Sequence, residues 1–253
     1  MLQRQCYVDD AHYDMPLIFY IHGRGLHFGR REFSLISGLR FGEVSFSCYS
    51  EGELKFLSRV FPHRVGLKIT SLDLIGVLED EEFFSKICDE DAVRVCLLLS
   101  LEVIFMGRKL VHEFDDTLMR LVENLEAWNA FPWGEHIWIH LYKQMLNPVS
   151  NHKAEHLKGL HMSRNYVPTY TLSGFVWSFK IWILESFERS NCWWSKDSKV
   201  IPRGLAWSRR AIFKSTDLSN LFCKDSKPTV DLRPTFGEYL TEWWTFNNEL
   251  LKN

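Results

Sequence analysis

The sequence predicts a mainly α fold (α+β) in which an N-terminal β-hairpin is followed by a multi-helix orthogonal bundle. Three observations carry that expectation. Met15 to His22 alternates apolar and polar residues as a strand does, and Gly23-Arg24-Gly25 reads as a turn that sends Leu26-His27-Phe28 back as its partner. Directly after it, Phe33, Ile36 and Leu39 recur at helical spacing behind a charged first turn of Arg30, Arg31 and Glu32. Gly38 is placed there to take the left-handed conformation that stops a helix. Further on, Ala92 to Met106 is dense in Val, Leu and Ile, with Asp89 or Asp91 near its N-cap and Gly107-Arg108-Lys109 at its end.

Taken in order, residues 1–14 are polar and read as a frayed N-terminus. After the hairpin and first helix, Glu51 to Val60 suits a short helix with Leu54, Leu57 and Val60 inward, ended by Phe61-Pro62. Residues 73–91 concentrate acid, which fits solvated helix starts and loops. Asp115 or Asp116 caps the helix after the apolar one, and Leu118, Leu121, Val122, Leu125 and Trp128 form its stripe. Phe131-Pro132-Trp133-Gly134 breaks it as an aromatic corner packed into the core. A helix then runs from about Glu135 to Leu146, offering Ile137, Trp138, Leu141, Tyr142 and Met145 for burial, until Asn147-Pro148 closes it. A strongly apolar helix is expected from Thr171 to Arg189, capped by Ser173, with Lys180, Glu185 and Glu188 toward water. Residues 190–235 read as irregular, and Phe236 to Leu251 as one C-terminal helix carrying Tyr239, Leu240, Trp243 and Trp244.

Composition narrows the class. With 253 residues, 46% of them apolar and 15% aromatic, the chain can bury a proper core. A net charge of -2 carries no global signature for nucleic acid or an anionic membrane. Six scattered cysteines without a CxxC pair suit a reducing compartment, and no signal or transit pattern opens the chain. The expected location is intracellular, nucleus or cytoplasm. The run from Ala92 to Met106 is too short to span a bilayer, which needs about 20 apolar residues. Arg94 and Glu102 interrupt it as well, so no membrane partner is expected.

The stretch from Phe28-Gly29-Arg30-Arg31-Glu32-Phe33 to Gly38-Leu39-Arg40-Phe41-Gly42 resembles the hallmark of a plant domain of unknown function, number 1985. Asp89-Glu90-Asp91-Ala92-Val93-Arg94 and Leu125-Glu126-Ala127-Trp128-Asn129-Ala130-Phe131-Pro132-Trp133-Gly134 are similar to the same family. So is the run from His156-Leu157-Lys158-Gly159-Leu160 to Val167-Pro168-Thr169-Tyr170. The resemblance places the domain at residues 15–146, with a helical extension carrying the basic tract and the C-terminal helix at 147–253. It implies a transposon-derived origin, with relatives labelled phospholipase-like or fused to a cysteine protease for ubiquitin-like modifiers. It implies no activity of the domain itself.

Catalytic spellings fare poorly. His152-Lys153-Ala154-Glu155-His156 satisfies HxxEH, in which two His one turn apart bind zinc and Glu activates water. His152, Glu155 and His156 are therefore the metal candidates, yet their flanks are polar and no convincing third ligand follows. The reading is an exposed helix with ordinary side chains. Thr171-Leu172-Ser173-Gly174 lacks the first glycine of a nucleophile elbow, and no cysteine follows a plausible His and Asp. Gly23, Gly25 and Gly29 miss the dinucleotide spacing, and no cofactor is expected. The remaining cluster is basic and aromatic: Arg189, Trp193, Trp194, Lys196 and Lys199, then Arg203, Trp207, Arg209, Arg210 and Lys214. Cations interleaved with rings suit single-stranded nucleic acid, while a basic loop anchored by its tryptophans is the plainer account. The leading expectation is a non-enzymatic interaction or scaffold domain with an unknown protein partner. A nucleic-acid-binding accessory domain comes second and a hydrolase third.

Overall fold

The computed structural model describes residues 1–64, 66–166, 171–223 and 228–251. The chain forms two compact units, one of residues 1–42 with 133–253 and one of residues 43–132. It is mainly helical, with two short antiparallel hairpins among the described residues.

In the first unit, β1 (Leu17–Ile21) pairs with β2 (Arg24–Phe28), Leu17 opposite Phe28 and Ile21 opposite Arg24. The turn lies earlier than the glycines suggested: His22 and Gly23 both take positive φ, 50° and 78°, while Arg24 and Gly25 already belong to β2. Two left-handed residues in a row give the turn whose twist matches the strands it joins. Leu17, Phe19, Ile21, Leu26 and Phe28 face the core and Tyr20 faces out, as alternation requires. Within residues 1–14, Gln5 bridges to Phe19 and the Cys6 N–H donates to the Ile18 carbonyl.

Helix α1 (Arg30–Ser37) starts where the Glu32 carboxylate accepts the Gly29 N–H at 2.9 Å. Phe33, Leu35 and Ile36 are buried, and Gly38 ends the helix at φ 68°, its N–H donating to the Ser34 carbonyl. Leu39 therefore lies past the helix instead of on its stripe.

The second unit is built from α2 (Lys55–Val60), α3 (Ser71–Glu79), α4 (Glu81–Phe84), α5 (Asp89–Leu99), α6 (Asp116–Leu121) and α7 (Leu125–Ala130). In α2, Phe56 joins Leu57 and Val60 inside, whereas Leu54 sits at the N-cap and is half-buried. The acid-rich tract supplies caps, since Asp73 accepts from Thr70 at the start of α3 and Asp80 from the Phe83 N–H in α4. Cys88 is the N-cap of α5, so Asp89, Glu90 and Asp91 form its first turn, where carboxylates suit the helix dipole. From Ser100 to Phe105 the helix widens into a π-turn. The apolar run, which its composition suits to a buried helix, is buried only on part of its surface: Asp91, Arg94 and Glu102 are buried, while Val93, Cys96 and Ile104 are exposed. The charged residues face inward because they meet partners there. The single stripe from Leu118 to Trp128 also divides, since Asn124 accepts the Ala127 N–H at 3.0 Å and starts α7 afresh.

The first unit resumes with α8 (Trp133–Met145), which buries the five residues its spacing offered. Then come α9 (Pro148–Asn151), α10 (Lys153–Met162) and α11 (Val176–Ser186). Helix α11 is shorter than expected: Phe175 occupies the N-cap, and the Ser173 hydroxyl lies 3.0 Å from His140 Nε2. Phe19, Phe28, Phe179 and Trp182 form one aromatic cluster with ring centroids 5.3–5.4 Å apart, against which Trp138 packs at 5.4 Å from Phe28.

The tract expected to be irregular contains β3 (Trp194–Lys196), α12 (Arg203–Ala206), β4 (Trp207–Arg209) and α13 (Leu218–Leu221), with Trp194 opposite Arg209 in the second hairpin. The expected C-terminal helix is two: α14 (Phe236–Tyr239) and α15 (Glu242–Leu250), because the Thr241 hydroxyl caps the second by accepting the Trp244 N–H. No helix of the described residues is long and apolar enough to cross a membrane.

Candidate interaction surface

Charged residues of the long motifs are consumed by the fold. In the first unit, Arg30 donates to Glu135 and to Asp14. Burial pushes the Glu135 carboxyl up from its usual range, and the bond from Arg30 opposes that. Beside it the Gly134 N–H donates to the Arg40 carbonyl at 2.7 Å, and a Cβ there would meet both that oxygen and the Phe41 ring at 2.7 Å. The glycine of Trp133-Gly134 is thus required by the backbone of Gly38-Leu39-Arg40-Phe41. In α15, buried Asn247 completes the lock, donating to Ser34 Oγ and the Leu39 carbonyl and accepting the Phe41 N–H at 2.8, 2.8 and 2.9 Å.

The second unit has its own knot. Asp91 accepts two bonds of 2.8 Å from Arg59 and one of 2.7 Å from Arg94. Arg94 also donates to the carbonyls of Val122 and Glu123, while Arg59 reaches the Glu123 carboxylate. The bonds from Arg59, ahead of those from Arg94, hold the Asp91 carboxyl below its ordinary value.

The basic tract splits into two populations. Arg203 is buried and gives Nε and Nη2 to the two oxygens of Glu238 at 2.7 and 2.8 Å, Nη1 to Glu185 at 3.1 Å, and Nη2 to the Arg233 carbonyl. Lys196 Nζ lies 2.6 Å from Glu185, which also accepts the Trp207 indole N–H. Glu185, expected in water, therefore has a side chain only 9% exposed. The pairing has no local signal, since helix periodicity says nothing of a partner 18 residues away. Trp194 and Trp207 are buried and Trp193 is half-buried against Phe213. Arg189, Lys199, Arg209, Arg210 and Lys214 are exposed.

Anchoring Glu238 fixes what α14 shows to solvent. Burial alone would raise its carboxyl, but Arg203 and the Thr235 N–H together hold it below the usual value. With Glu238 inward and Gly237 against Ile201, the other residues of the turn point out: Phe236 is 80% exposed, Leu240 71% and Tyr239 53%. Leu205, on the helix that carries Arg203, is 74% exposed. Phe236, Tyr239 and Leu240, held open by a buried ion pair, are apolar side chains suited to contact. Thr235-Phe236-Gly237-Glu238 spells the capping box that seats Glu238, and that signal was readable in the sequence.

The HxxEH residues lie at a helix start. His152 is the N-cap of α10, with Nδ1 3.0 Å from Glu155 Oε2, and its ring stacks 6.4 Å from that of His156. Among the described residues no three His, Cys, Asp or Glu side chains come together to hold a metal. All six cysteines are free thiols.

The interlocked motifs are those of the Domain of unknown function DUF1985, whose family description matches residues 2–144. The chain belongs to that family. Neither a curated protein nor a solved structure matches it. In this DUF1985 member the match takes in the hairpin, α1, the whole second unit and nearly all of α8. The α14 surface lies outside the matched residues, while the Val167-Pro168-Thr169-Tyr170 part of the resemblance falls outside the described ones.

Proposed function

We propose that this DUF1985 protein is a non-enzymatic interaction domain that offers the exposed face of α14, with Leu205, to a protein partner. The observation that carries the reading is the inward commitment of Glu238 to Arg203, which leaves Phe236, Tyr239 and Leu240 in solvent. Apolar side chains of this size gain most when a complementary surface removes them from water. Motif residue Arg30 bonds Glu135 and, in the other unit, Arg94 bonds Asp91, which favours a scaffold over a reaction centre. A plant, transposon-derived origin belongs to this proposal through the resemblance, and a nuclear or cytoplasmic location through the scattered cysteines.

The test is affinity capture with the protein and with a Phe236→Asp, Leu240→Asp double variant, checked for an unchanged melting temperature. A partner held by the first and released by the second supports the proposal. Partners retained by both would remove this face from the function. Salt-dependent binding to single-stranded DNA, lost on Arg209→Ala with Arg210→Ala, would instead favour the accessory nucleic-acid reading, which draws on the five exposed cations.

A further inference from the structure

A second surface feature of the first unit is independent of the α14 face. Between α11, the second hairpin and α13 lies a half-open cavity of about 380 Å³, within the range of small-molecule sites. Ile183 and Leu184 of α11 form one wall, and Trp194 with Phe213, ring centroids 5.1 Å apart, forms another. Leu221 and Phe222 face them, and Phe222 is held edge-on by Phe187 at 5.0 Å. Leu218, nearly half exposed, stands at the opening.

Two side-chain cations complete the lining, beside Met1 at the start of the chain. Lys180 Nζ lies 5.9 Å from the Trp194 ring centroid and 5.0 Å from that of Trp177. Arg209 is the cross-strand neighbour of Trp194, and its Nε donates to the Ala211 carbonyl at 3.2 Å. That bond steadies the guanidinium and leaves both terminal nitrogens without a protein acceptor among the described residues. No carboxylate among the described residues forms an ion pair with either cation, whereas Lys196 and Arg203 nearby are both paired with Glu185. Arg209 of the hairpin and Lys180 of α11 thus stand beside apolar walls with no ion-pair partner among the described residues.

From this juxtaposition we propose that the cavity binds an amphipathic organic anion. Its apolar chain lies against Ile183, Leu184, Trp194 and Phe213, and its anionic head is held by Lys180 and Arg209. Apolar walls reward removal of a hydrocarbon chain from water but do not distinguish one chain end from another. A bidentate guanidinium with an ammonium does distinguish them, because charge-assisted hydrogen bonds select the anion.

Titration calorimetry with dodecanoate below its micelle concentration, against dodecanol as the uncharged match, tests the site. Dodecanoate should bind saturably at one per chain, and dodecanol at least about tenfold more weakly, the usual worth of a hydrogen bond to a charged group. Lys180→Ala with Arg209→Ala should bring dodecanoate to the affinity of dodecanol. Both side chains are exposed, and an unchanged melting temperature of the double variant checks that the fold is kept. Leu218→Trp, which fills the opening, should weaken both probes. Equal affinity for the two probes, dodecanoate binding unmoved by the double variant, or no saturable binding at all would each overturn the proposal.

Discussion

Glu238 receives two charge-assisted hydrogen bonds from Arg203, at 2.7 and 2.8 Å, across 35 residues of chain, and both side chains are buried. Breaking one member of such a pair leaves the other charge in a poor solvent, at a cost of about 3–5 kcal/mol. Arg203→Ala and Glu238→Ala should each lower stability by that order in urea denaturation. Arg203→Lys should recover little, since an ammonium cannot reproduce the fork that meets both oxygens. A loss below the error of the measurement would show that α14 is held by something else.

At Gly134 the prediction is steric. A methyl there would stand 2.7 Å from the Arg40 carbonyl oxygen and from the Phe41 ring. Gly134→Ala should destabilise by about 1–3 kcal/mol, as overpacking does, although alanine is the better helix former. Its melting temperature settles the sign.

Asn247 makes three bonds to the end of α1 from a fully buried position. Asn247→Leu would strand the Phe41 N–H and the Ser34 hydroxyl, each worth about 1–3 kcal/mol when left unsatisfied. Hydrogen exchange at Phe41 should then rise well before exchange within β1 and β2 does.

Acid should act on the second unit through Asp91, whose carboxyl sits below its ordinary value because Arg59 and Arg94 bond it. A depressed pKa contributes stability that is fully present above the unfolded value, about 3.9, and is lost as pH falls through the lower folded one. Asp91→Asn should therefore be less stable than the parent by about 2 kcal/mol near neutrality, and the gap should close below about pH 4. Buried Glu32 has the opposite sign: burial raises its carboxyl, so its contribution worsens as pH rises through the folded pKa. A gap between Asp91→Asn and parent that widened on acidification would refute the assignment.

The hairpin, α1 with its Gly38 stop and the buried stripe of α8 were legible in the sequence because each is written in a local period or a single backbone requirement. Alternation buries Leu17, Phe19 and Ile21 together, and a helical repeat buries Ile137, Trp138 and Leu141 together, wherever the element packs. The break at Asn124 and the division of the C-terminal helix at Thr241 were missed because a short polar side chain can either ride a helix or cap a new one. Of the site, the Thr235–Glu238 capping box was written locally, but its inward carboxylate acquires meaning only from Arg203. The interior placement of Asp91, Arg94 and Glu102, with Val93 and Ile104 outside, likewise follows from tertiary structure. A charge goes inside only where partners repay its desolvation, and Asp91 and Glu238 find Arg59 and Arg203 32 and 35 residues away. The sequence by itself determined the first hairpin, α1 and α8 and the family they belong to. Tertiary structure decided which charges are spent inside the fold and which apolar residues remain in water, because both depend on pairings that no local repeat encodes.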